Sequence, residues 1–356
     1  MDLPFITTLT EDRAGAQPHP EDSVFSGSAA ATQALDNLLS LIQNPSSVTI
    51  KFDGFPALIF GRVKGGQLAV MDKYMFDAKY FALSPEDWQK WDSKKASGKL
   101  RADLYPKLAA IWPGLAEAVG SSPGFFWGDL MWSQPLPVVG GKLVFKPNKV
   151  EYRIPANSQL GQQIKDSVGG IAVHQYFPSD SSPPQQWNGA GLNLYGTVAI
   201  LTPTMGASFK LSDPASAIKA AKQALARGSE IDQFLAGLEN PARTALLKYL
   251  NERARGNTTA PLADWLQGNI SGKQYGILVG EEGQGYLNVN RQGLESLFNS
   301  WWALYNLKRT IANDLEQQVQ GIEQYVNGKK QGEGFVFKTP QGLAKLVDKG
   351  GFNPGL

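Results

Sequence analysis

The pattern of apolar and polar positions changes once along the chain, at about residue 205. Before that point the apolar residues occur in short runs bounded by Gly, Pro, Asn or Asp, which is typical of β-strands. After it they recur every three or four residues among Leu, Ala, Glu and Lys, which predicts helices. The predicted strands are residues 48–50, 57–63, 67–71, 125–131, 142–154, 168–177 and 192–202. The predicted helices are residues 26–43, one or two within 84–120, 213–227, 230–254 and 291–326.

This arrangement predicts an α+β protein with antiparallel sheets. We expect a β-rich core formed by residues 1–205 and 328–356, with a mostly helical insertion at 206–327 between them. Within the insertion, Tyr275–Val279 and Tyr286–Val289 are short enough to form a hairpin. The insertion is longer than a crossover in a sheet requires, so it is expected to carry a functional surface of its own.

The composition restricts the chemistry. The 356 residues include no cysteine and two histidines, so thiol nucleophiles, disulfides and thiolate metal sites are excluded. A metal would have to be held by oxygen ligands, which favours Mg²⁺ or Mn²⁺. The net charge of +2 gives no global preference for nucleic acid. No apolar run reaches the roughly 18 residues that span a bilayer. Met1–Pro4 lacks the layout of a signal peptide, so a cytoplasmic protein without membrane contact is expected.

A lysine stands at the end of the first predicted strand, in the sequence Lys51-Phe52-Asp53-Gly54. The predicted strands on either side, 48–50 and 57–63, are expected to be antiparallel and to flank this turn. Partial burial disfavours the charged form of a lysine, and the neutral amine is a nucleophile that can attack phosphorus. Because Asp-Gly is also common in ordinary turns, the tetrapeptide needs a second motif to acquire a functional meaning.

The second motif lies near the C-terminal end of the chain. There Glu333-Gly334 precedes three apolar residues and Lys338. Lys345 follows in another apolar stretch, at a distance from Glu333 that suits two neighbouring strands of a hairpin.

Together the two motifs resemble those of the covalent nucleotidyltransferase superfamily, which contains ATP-dependent DNA ligases, RNA ligases and mRNA capping enzymes. The segments Pro20–Phe25, Ile50–Gly61, Lys146–Asn148 and Tyr152–Ala156 also resemble ligase-like proteins encoded by tailed bacteriophages. The resemblance implies an antiparallel-sheet nucleotidyltransferase core, with ATP and Mg²⁺ or Mn²⁺ as cofactors. It also implies that the strands of the second motif complete the sheets that carry the lysine.

The resemblance implies a role for each matching residue. Lys51 is expected to form a phosphoramidate with AMP and to expel pyrophosphate, while Lys345 stabilises charge on the α-phosphate. Glu333 is expected to bind the metal, together with Asp129. The residues expected to contact the nucleotide are Ile50, Asp53, Gly54, Arg62, Asp129, Tyr176 and Lys338. Tyr176 would stack on the base, although its strand could equally be part of the core.

Three positions depart from the family pattern. Pro56 stands where many members have an arginine, and Arg62 on the next strand is expected to replace it. Val347 stands where a second lysine is common, which leaves one phosphate contact missing. Asp129 occupies a position that is more often Glu, and a carboxylate one methylene shorter can act through a water. Lys338 and Lys349 are further candidates for phosphate contacts and are otherwise expected on the solvated surface.

These features favour an ATP-dependent polynucleotide ligase. RNA ends are favoured over DNA ends as the acceptor, because little sequence follows the last motif. The insertion 206–327 is then expected to bind the acceptor through its Lys and Arg residues, and Trp301, Trp302 and Tyr305 either stack on bases or belong to the core. Two alternatives remain. One is a nucleotidyltransferase that acts on a protein or a small molecule, and the other is a ligase fold without catalysis that binds nucleic acid or serves phage assembly.

Overall fold

The computed structural model describes residues 18–94, 100–202, 209–281 and 283–350. It shows an α+β fold in which the sheets are mostly antiparallel, as the sequence predicts. The chain forms two compact units. The first contains Met1–Thr49, Gly206–Gln318 and Gly334–Leu356, and the second contains Ile50–Met205 and Val319–Glu333.

Most helices of the described residues are short, and the last is the longest. They are α1 (Ser28–Gln43), α2 (Lys73–Asp77), α3 (Pro85–Ser93), α4 (Tyr105–Val119), α5 (Gln159–Ile164), α6 (Ala215–Leu225), α7 (Gly228–Ala236), α8 (Asn240–Ala254), α9 (Leu262–Asn269), α10 (Gly272–Leu278), α11 (Tyr286–Val289) and α12 (Arg291–Gln318). Turns of 3₁₀ helix at Pro20–Ser26 and Pro45–Ser47 precede and follow α1.

The strands of the described residues form three sheets. They are β1 (Val48–Ile50), β2 (Ala57–Arg62), β3 (Leu68–Met71), β4 (Phe125–Trp132), β5 (Val138–Val139), β6 (Lys142–Phe145), β7 (Val150–Pro155), β8 (Gly169–Phe177), β9 (Gln185–Gln186), β10 (Val198–Leu201), β11 (Glu323–Val326), β12 (Lys329–Lys330), β13 (Phe335–Thr339) and β14 (Gly342–Leu346).

In the first unit, the other helices pack around α12. Buried residues recur every three or four positions along this helix and include Leu297, Trp301 and Leu304, as in an amphipathic helix with one apolar face. Helices α6 and α7 and the Pro20–Ser26 turn pack against it. A three-stranded sheet in the order β1-β13-β14 belongs to the same unit. Its strands β13 and β14 are the antiparallel hairpin that the spacing of the second motif predicts.

Four charged side chains are buried among the described residues of the first unit, and we refer to Glu21, Asp22, Lys308 and Lys349 as the buried charge cluster. Lys308 Nζ lies 2.6 Å from Glu21 Oε1. Lys349 Nζ lies 2.9 Å from Glu21 Oε1 and 2.9 Å from Asp22 Oδ1. Trp301 Nε1 also donates to Asp22. The expectation that Lys349 lies on the solvated surface is therefore wrong, because two carboxylates pair with it inside the unit.

The second unit contains two sheets. A six-stranded sheet has the order β10-β8-β4-β2-β3, with β9 paired to β8, and a five-stranded sheet has the order β12-β11-β7-β6-β5. The neighbours in these sheets are antiparallel except for β8 and β10. Leu58 and Phe60 of β2 are fully buried, and they share one apolar core with Leu108 and Leu115 of α4.

The structure differs from the predicted elements in several places. Residues 230–254 belong to two helices, α7 and α8, and residues 142–154 belong to two strands, β6 and β7. β1 and β2 do not pair with each other, because β1 lies beside β13 whereas β2 lies between β3 and β4. The residues of the predicted hairpin are helical, and the side chain of Ser271 caps α10 by accepting from the amide of Gln274. The helix predicted to reach residue 326 ends at Gln318, and β11 follows it and pairs with β7.

The two compact units divide the chain differently from the expected core and insertion. β13 and β14 group with the helical segments because β14 packs against α12 and against the Pro20–Ser26 turn. Trp301 and Tyr305 are buried in this unit, with their ring centroids 5.3 Å apart. These two rings therefore belong to the core and not to a base-stacking surface. None of the described helices is long and apolar enough to cross a bilayer.

Candidate functional site

The two sequence motifs meet in an ion pair within the second unit. Lys51 Nζ donates to Glu333 Oε1, although 282 residues separate them in the sequence. The side chain of Lys51 is 24 % exposed and that of Glu333 is 7 % exposed. Glu333 Oε2 is buried and has no hydrogen-bond partner among the described residues. The carboxylate thus has one oxygen on the lysine and one oxygen left for a further ligand.

The backbone on both sides of Glu333 is fixed by specific contacts. The amide of Glu333 donates to Gln324 Oε1 at 2.8 Å, and Gln324 lies on β11 opposite Tyr152 of β7. Gly334 has a φ of +111°, a region that glycine enters without strain. A Cβ there would lie 2.5 Å from the carbonyl oxygen of Leu346. The Glu-Gly motif therefore combines a held carboxylate with a turn that suits only glycine.

Asp53 belongs to the segment Lys51–Gly54, which we call the lysine turn, and ties it to β7 and to the loop before β7. Its amide donates to the hydroxyl of Tyr152 at 2.7 Å. Its carboxylate accepts from Asn148 Nδ2 at 3.1 Å and from the amide of Lys149 at 3.4 Å. Burial raises the pKa of Tyr152 above its ordinary value, and the nearby charges of Asp53 and Asp129 raise it further. The hydroxyl therefore stays protonated, and Asp53 positions the turn.

Gly54 brings the same turn against β4. A Cβ at Gly54 would lie 2.5 Å from Cβ of Asp129 and 2.8 Å from the carbonyl oxygen of Leu130. Asp129 pairs with Ala57 in the six-stranded sheet, and its Oδ2 lies 3.8 Å from His174 Nε2. The absence of a side chain at Gly54 thus allows a second carboxylate to lie beside the lysine turn.

The second unit therefore brings together the central part of the predicted site. Lys51 directly follows β1, which ends at the buried Ile50. The other two predicted cations lie in the first unit. Lys338 is exposed on β13, and Lys345 lies on β14, where its amide donates to the carbonyl of Pro18 at 3.0 Å.

Arg62 serves the fold and not the lysine turn. Its guanidinium donates to the carbonyls of Gly120 at 2.7 Å, Ala116 at 2.8 Å and Gly66 at 2.9 Å. These bonds cap the C-terminal end of α4, where carbonyl groups lack partners within the helix, and they also hold the turn between β2 and β3. Arg62 lies at the end of β2 opposite to Ala57, which pairs with Asp129.

Tyr176 also lies away from the lysine turn. Its ring centroid is 5.1 Å from that of Phe126, and its hydroxyl donates to the carbonyl of Pro123. In the pairing of β4 with β8, Tyr176 lies opposite Phe126 whereas Asp129 lies opposite Ala172. The alternative that this strand belongs to the core describes Tyr176 better than the base-stacking role.

The carboxylates of the site are too few to hold a metal ion without other ligands. The described residues contain no group of three or more His, Asp or Glu that could hold a metal without other ligands. Mg²⁺ is commonly held by one or two carboxylates together with phosphate oxygens and waters. The unpartnered Oε2 of Glu333 and the carboxylate of Asp129 are suitable donors of this kind.

Sequence analysis assigns no role to the residues that support the site, although Asn148 and Tyr152 lie in segments that resemble phage ligase-like proteins. Tyr152 and Asn148 hold Asp53, and Gln324 holds Glu333. A polar residue on a strand next to alternating apolar residues gives no signal of its own. Only the pairing of β7 with β11 shows that Tyr152 and Gln324 are neighbours.

The fold and the site define an α+β protein with mostly antiparallel sheets, in which a partly exposed lysine pairs with a buried glutamate. The chain belongs to DUF6267, a family of unknown function whose model matches residues 18–354. The match includes both sequence motifs. No curated protein and no solved structure matches the chain.

Proposed function

We propose that this protein is an ATP-dependent nucleotidyltransferase that forms a covalent lysyl-AMP at Lys51 and passes the AMP to the end of a polynucleotide. The observation that carries the proposal is the ion pair between Lys51 and Glu333. Two motifs that resemble those of the ligase superfamily are far apart in the sequence, and their two reactive groups are in contact.

The first step has a simple balance of bonds. Lys51 Nζ attacks the α-phosphorus of ATP, a nitrogen–phosphorus bond forms, and the bond from this phosphorus to the bridging oxygen breaks as pyrophosphate leaves. The ammonium must first lose a proton, and Glu333 Oε1 already accepts a hydrogen bond from it. Mg²⁺, when bound, neutralises charge on the phosphates. Glu333 Oε2 and Asp129 would hold it, so the two oxygens of Glu333 have separate tasks.

Labelling with α-³²P-ATP and Mg²⁺ tests the proposal. We expect one labelled peptide containing Lys51, with a phosphoramidate bond that acid breaks and alkali does not. Lys51→Met should remove the label. Lys142→Met is the matched control, because Lys142 belongs to the same unit and pairs with Glu323 at 2.8 Å in an arrangement of the same type. Label on another residue, or none on the wild type, would leave the non-catalytic ligase fold as the better hypothesis.

The acceptor is tested separately, after the label has been found. Transfer of the labelled AMP to the 5′-phosphate of an RNA or DNA strand would support a polynucleotide ligase. Transfer to a protein or a small molecule, without transfer to either strand, would favour the other class of nucleotidyltransferase.

The resemblance also gives Lys345 a contact with the α-phosphate. Lys345→Ala is expected to slow lysyl-AMP formation by about 100-fold or more, the scale for losing a charge contact in a transition state. Lys338→Ala is the comparison, since Lys338 lies on the same hairpin and is exposed. It should have a smaller effect, and equal effects would count against the role of Lys345.

A further inference from the structure

A cleft of about 520 Å³ in the second unit lies next to the lysine turn. This volume is in the range of sites that bind small molecules or parts of larger ligands. Its described lining includes the side chains of Phe55, Lys107 and Lys146 and contains no Asp or Glu. The lining therefore carries a charge of +2, which suits an anionic ligand.

The aromatic and cationic groups of the cleft have different exposures. Phe55 is 66 % exposed, which is unusual for a large apolar residue. Trp132 and Phe145 are buried in the wall, with their ring centroids 4.8 Å apart. Lys146 is exposed. Lys107 is also exposed, and its Nζ lies 3.6 Å from an Asp103 carboxylate that is itself in solvent, a kind of pair that contributes little. The cleft thus offers a free ring and two cations that can move to a ligand.

The two walls of the cleft join at Asp53. On one side, the amide of Phe55 donates to the carbonyl of Leu130 and the amide of Leu130 donates to the carbonyl of Pro56, both at 3.0 Å. On the other side, Lys146 and Pro147 lead directly into Asn148, which binds the Asp53 carboxylate. A ligand in the cleft therefore lies beside the turn that carries Lys51.

Prolines make the walls stiff. The lining contains Pro106, Pro135, Pro137 and Pro147, and each proline has a fixed φ and few alternative conformations. A site that is ordered before binding loses less conformational entropy when the ligand enters.

We propose that this cleft binds the end of a single-stranded polynucleotide, which is the acceptor of the AMP. The ring of Phe55 stacks on a base, and Lys107 and Lys146 contact phosphates on either side of it. Stacking on an exposed ring and backbone contacts from lysines are how single strands are commonly held. The role as acceptor site rests on the proposed function, whereas the binding itself does not. The helical segments of the first unit, expected from the sequence to bind the acceptor, do not offer Trp301 or Tyr305 for this purpose.

Fluorescence anisotropy of the full chain with ten-nucleotide RNA and DNA strands that carry a 5′-phosphate and a 3′ fluorophore tests the cleft. Phe55→Ala should weaken binding by about 5- to 150-fold, the range for losing one stacked base. The double variant Lys107→Glu, Lys146→Glu should weaken binding at least as much. It should also reduce the slope of log affinity against log salt by about 1.4, as expected when two phosphate contacts of a single strand are lost.

Matched controls come from the same unit. Tyr74 is 65 % exposed and lies outside the cleft lining, so Tyr74→Ala should not change the affinity. Lys64→Glu combined with Lys165→Glu reverses the same charge at exposed positions away from the cleft. If these controls lose as much affinity as the cleft variants, binding is general electrostatic attraction and the proposal is wrong.

Competition experiments show whether the cleft recognises a strand, a single nucleotide or negative charge alone. Unlabelled strand should displace the probe, whereas AMP at the same nucleotide concentration should not. Displacement by AMP would make the cleft a mononucleotide pocket, and displacement by polyglutamate of equal charge would show that charge alone is recognised. Either result overturns the proposal.

The same samples separate this inference from the proposed function. If the cleft variants lose strand binding but Lys51 of the wild type never becomes labelled, the cleft stands as a binding site and the enzymatic proposal fails. If Lys51 is labelled and the cleft variants bind strands normally, the enzymatic proposal stands and the cleft assignment is wrong.

Discussion

Two lysine–carboxylate systems among the described residues differ in how far solvent and ligands can reach them. In the buried charge cluster, Lys308 and Glu21 are completely buried, and Lys349 contacts both Glu21 and Asp22. In the site, the contact between Lys51 and Glu333 remains partly exposed. The cluster joins the start of the described chain to α12 and to the segment after β14. The Lys51 pair leaves a lysine and a carboxylate oxygen in reach of a ligand.

Both systems contain a carboxylate oxygen without a hydrogen-bond partner among the described residues, namely Glu21 Oε2 and Glu333 Oε2. The difference lies in what surrounds them. Glu21 is completely buried and lies beside two ammonium groups. Its second carboxylate oxygen therefore cannot be reached by a ligand from solvent. A buried polar group indicates a functional site only when a ligand can reach it or can replace its partner.

The largest effect is expected for the buried charge cluster. Lys308→Met should lower the free energy of unfolding by about 3–5 kcal/mol, because it leaves carboxylates buried without full compensation. Urea unfolding followed by tryptophan fluorescence measures this loss. Lys142→Met is the control, since the Lys142–Glu323 pair is about one-third exposed, and it should cost at most about 1 kcal/mol. Equal losses of stability in the two variants would show that burial does not make the cluster contribute more than a partly exposed pair.

For the partly exposed pair of Lys51 and Glu333, we expect the large effect on the rate of lysyl-AMP formation. Glu333→Gln keeps the size of the side chain but removes its charge, so lysyl-AMP formation should slow by about 100-fold or more. The rate of label incorporation in single-turnover conditions measures it. Glu323→Gln is the control, because Glu323 binds Lys142 at the same type of contact. An unchanged rate in Glu333→Gln would mean that the Lys51 pair is a structural ion pair.

The site also depends on close backbone packing. Gly54→Ala should cost about 1–3 kcal/mol of stability, since its Cβ would overlap Asp129 and the carbonyl of Leu130. Gly196→Ala in the same unit is the control, because its Cβ would lie no closer than 3.5 Å to its neighbours. Thermal unfolding compares the two variants. Similar midpoints would show that the lysine turn can move away from β4 without loss.

The sequence predicts local features well where the pattern is repeated. The periodic apolar residues of α1 and α12 and the short strands β2, β3 and β4 lie where they were expected. The exceptions are segments in which distant pairing decides the structure. Glu323–Val326 continues a helical composition but is a strand, because it finds the edge of β7. Val48–Ile50 was assigned to the wrong neighbour for the same reason, since β13 is nearly 300 residues away.

The same limit applies to the site. The motifs predict Lys51 and Glu333 as site residues because each motif is a short contiguous segment. The structure brings these two residues into contact. The sequence predicts that Arg62 replaces the arginine that is missing at Pro56, but its guanidinium donates to three backbone carbonyls. Neither these bonds nor the burial of Lys349 could be predicted, because both depend on which surfaces meet in the folded chain.

The smallest expected effect concerns pH and separates the two carboxylates of the cluster. Burial opposes the charge of Glu21, but Lys308 and Lys349 outweigh it and hold the pKa of Glu21 below its ordinary value of 4.5. The folded protein then binds this proton less readily than the unfolded chain does. The stability that Glu21 contributes is therefore complete above pH 4.5 and is lost as the pH falls through the lower value. The wild type should be more stable than Glu21→Gln at pH 5, and this difference in stability should shrink as the pH is reduced from about 5 to 3.

For Asp22, burial raises the pKa above 3.8. The difference in stability between the wild type and Asp22→Asn should therefore change with pH in the opposite direction. Urea titrations across this range measure both trends, and parallel trends for the two variants would contradict the arrangement of charges described for the cluster.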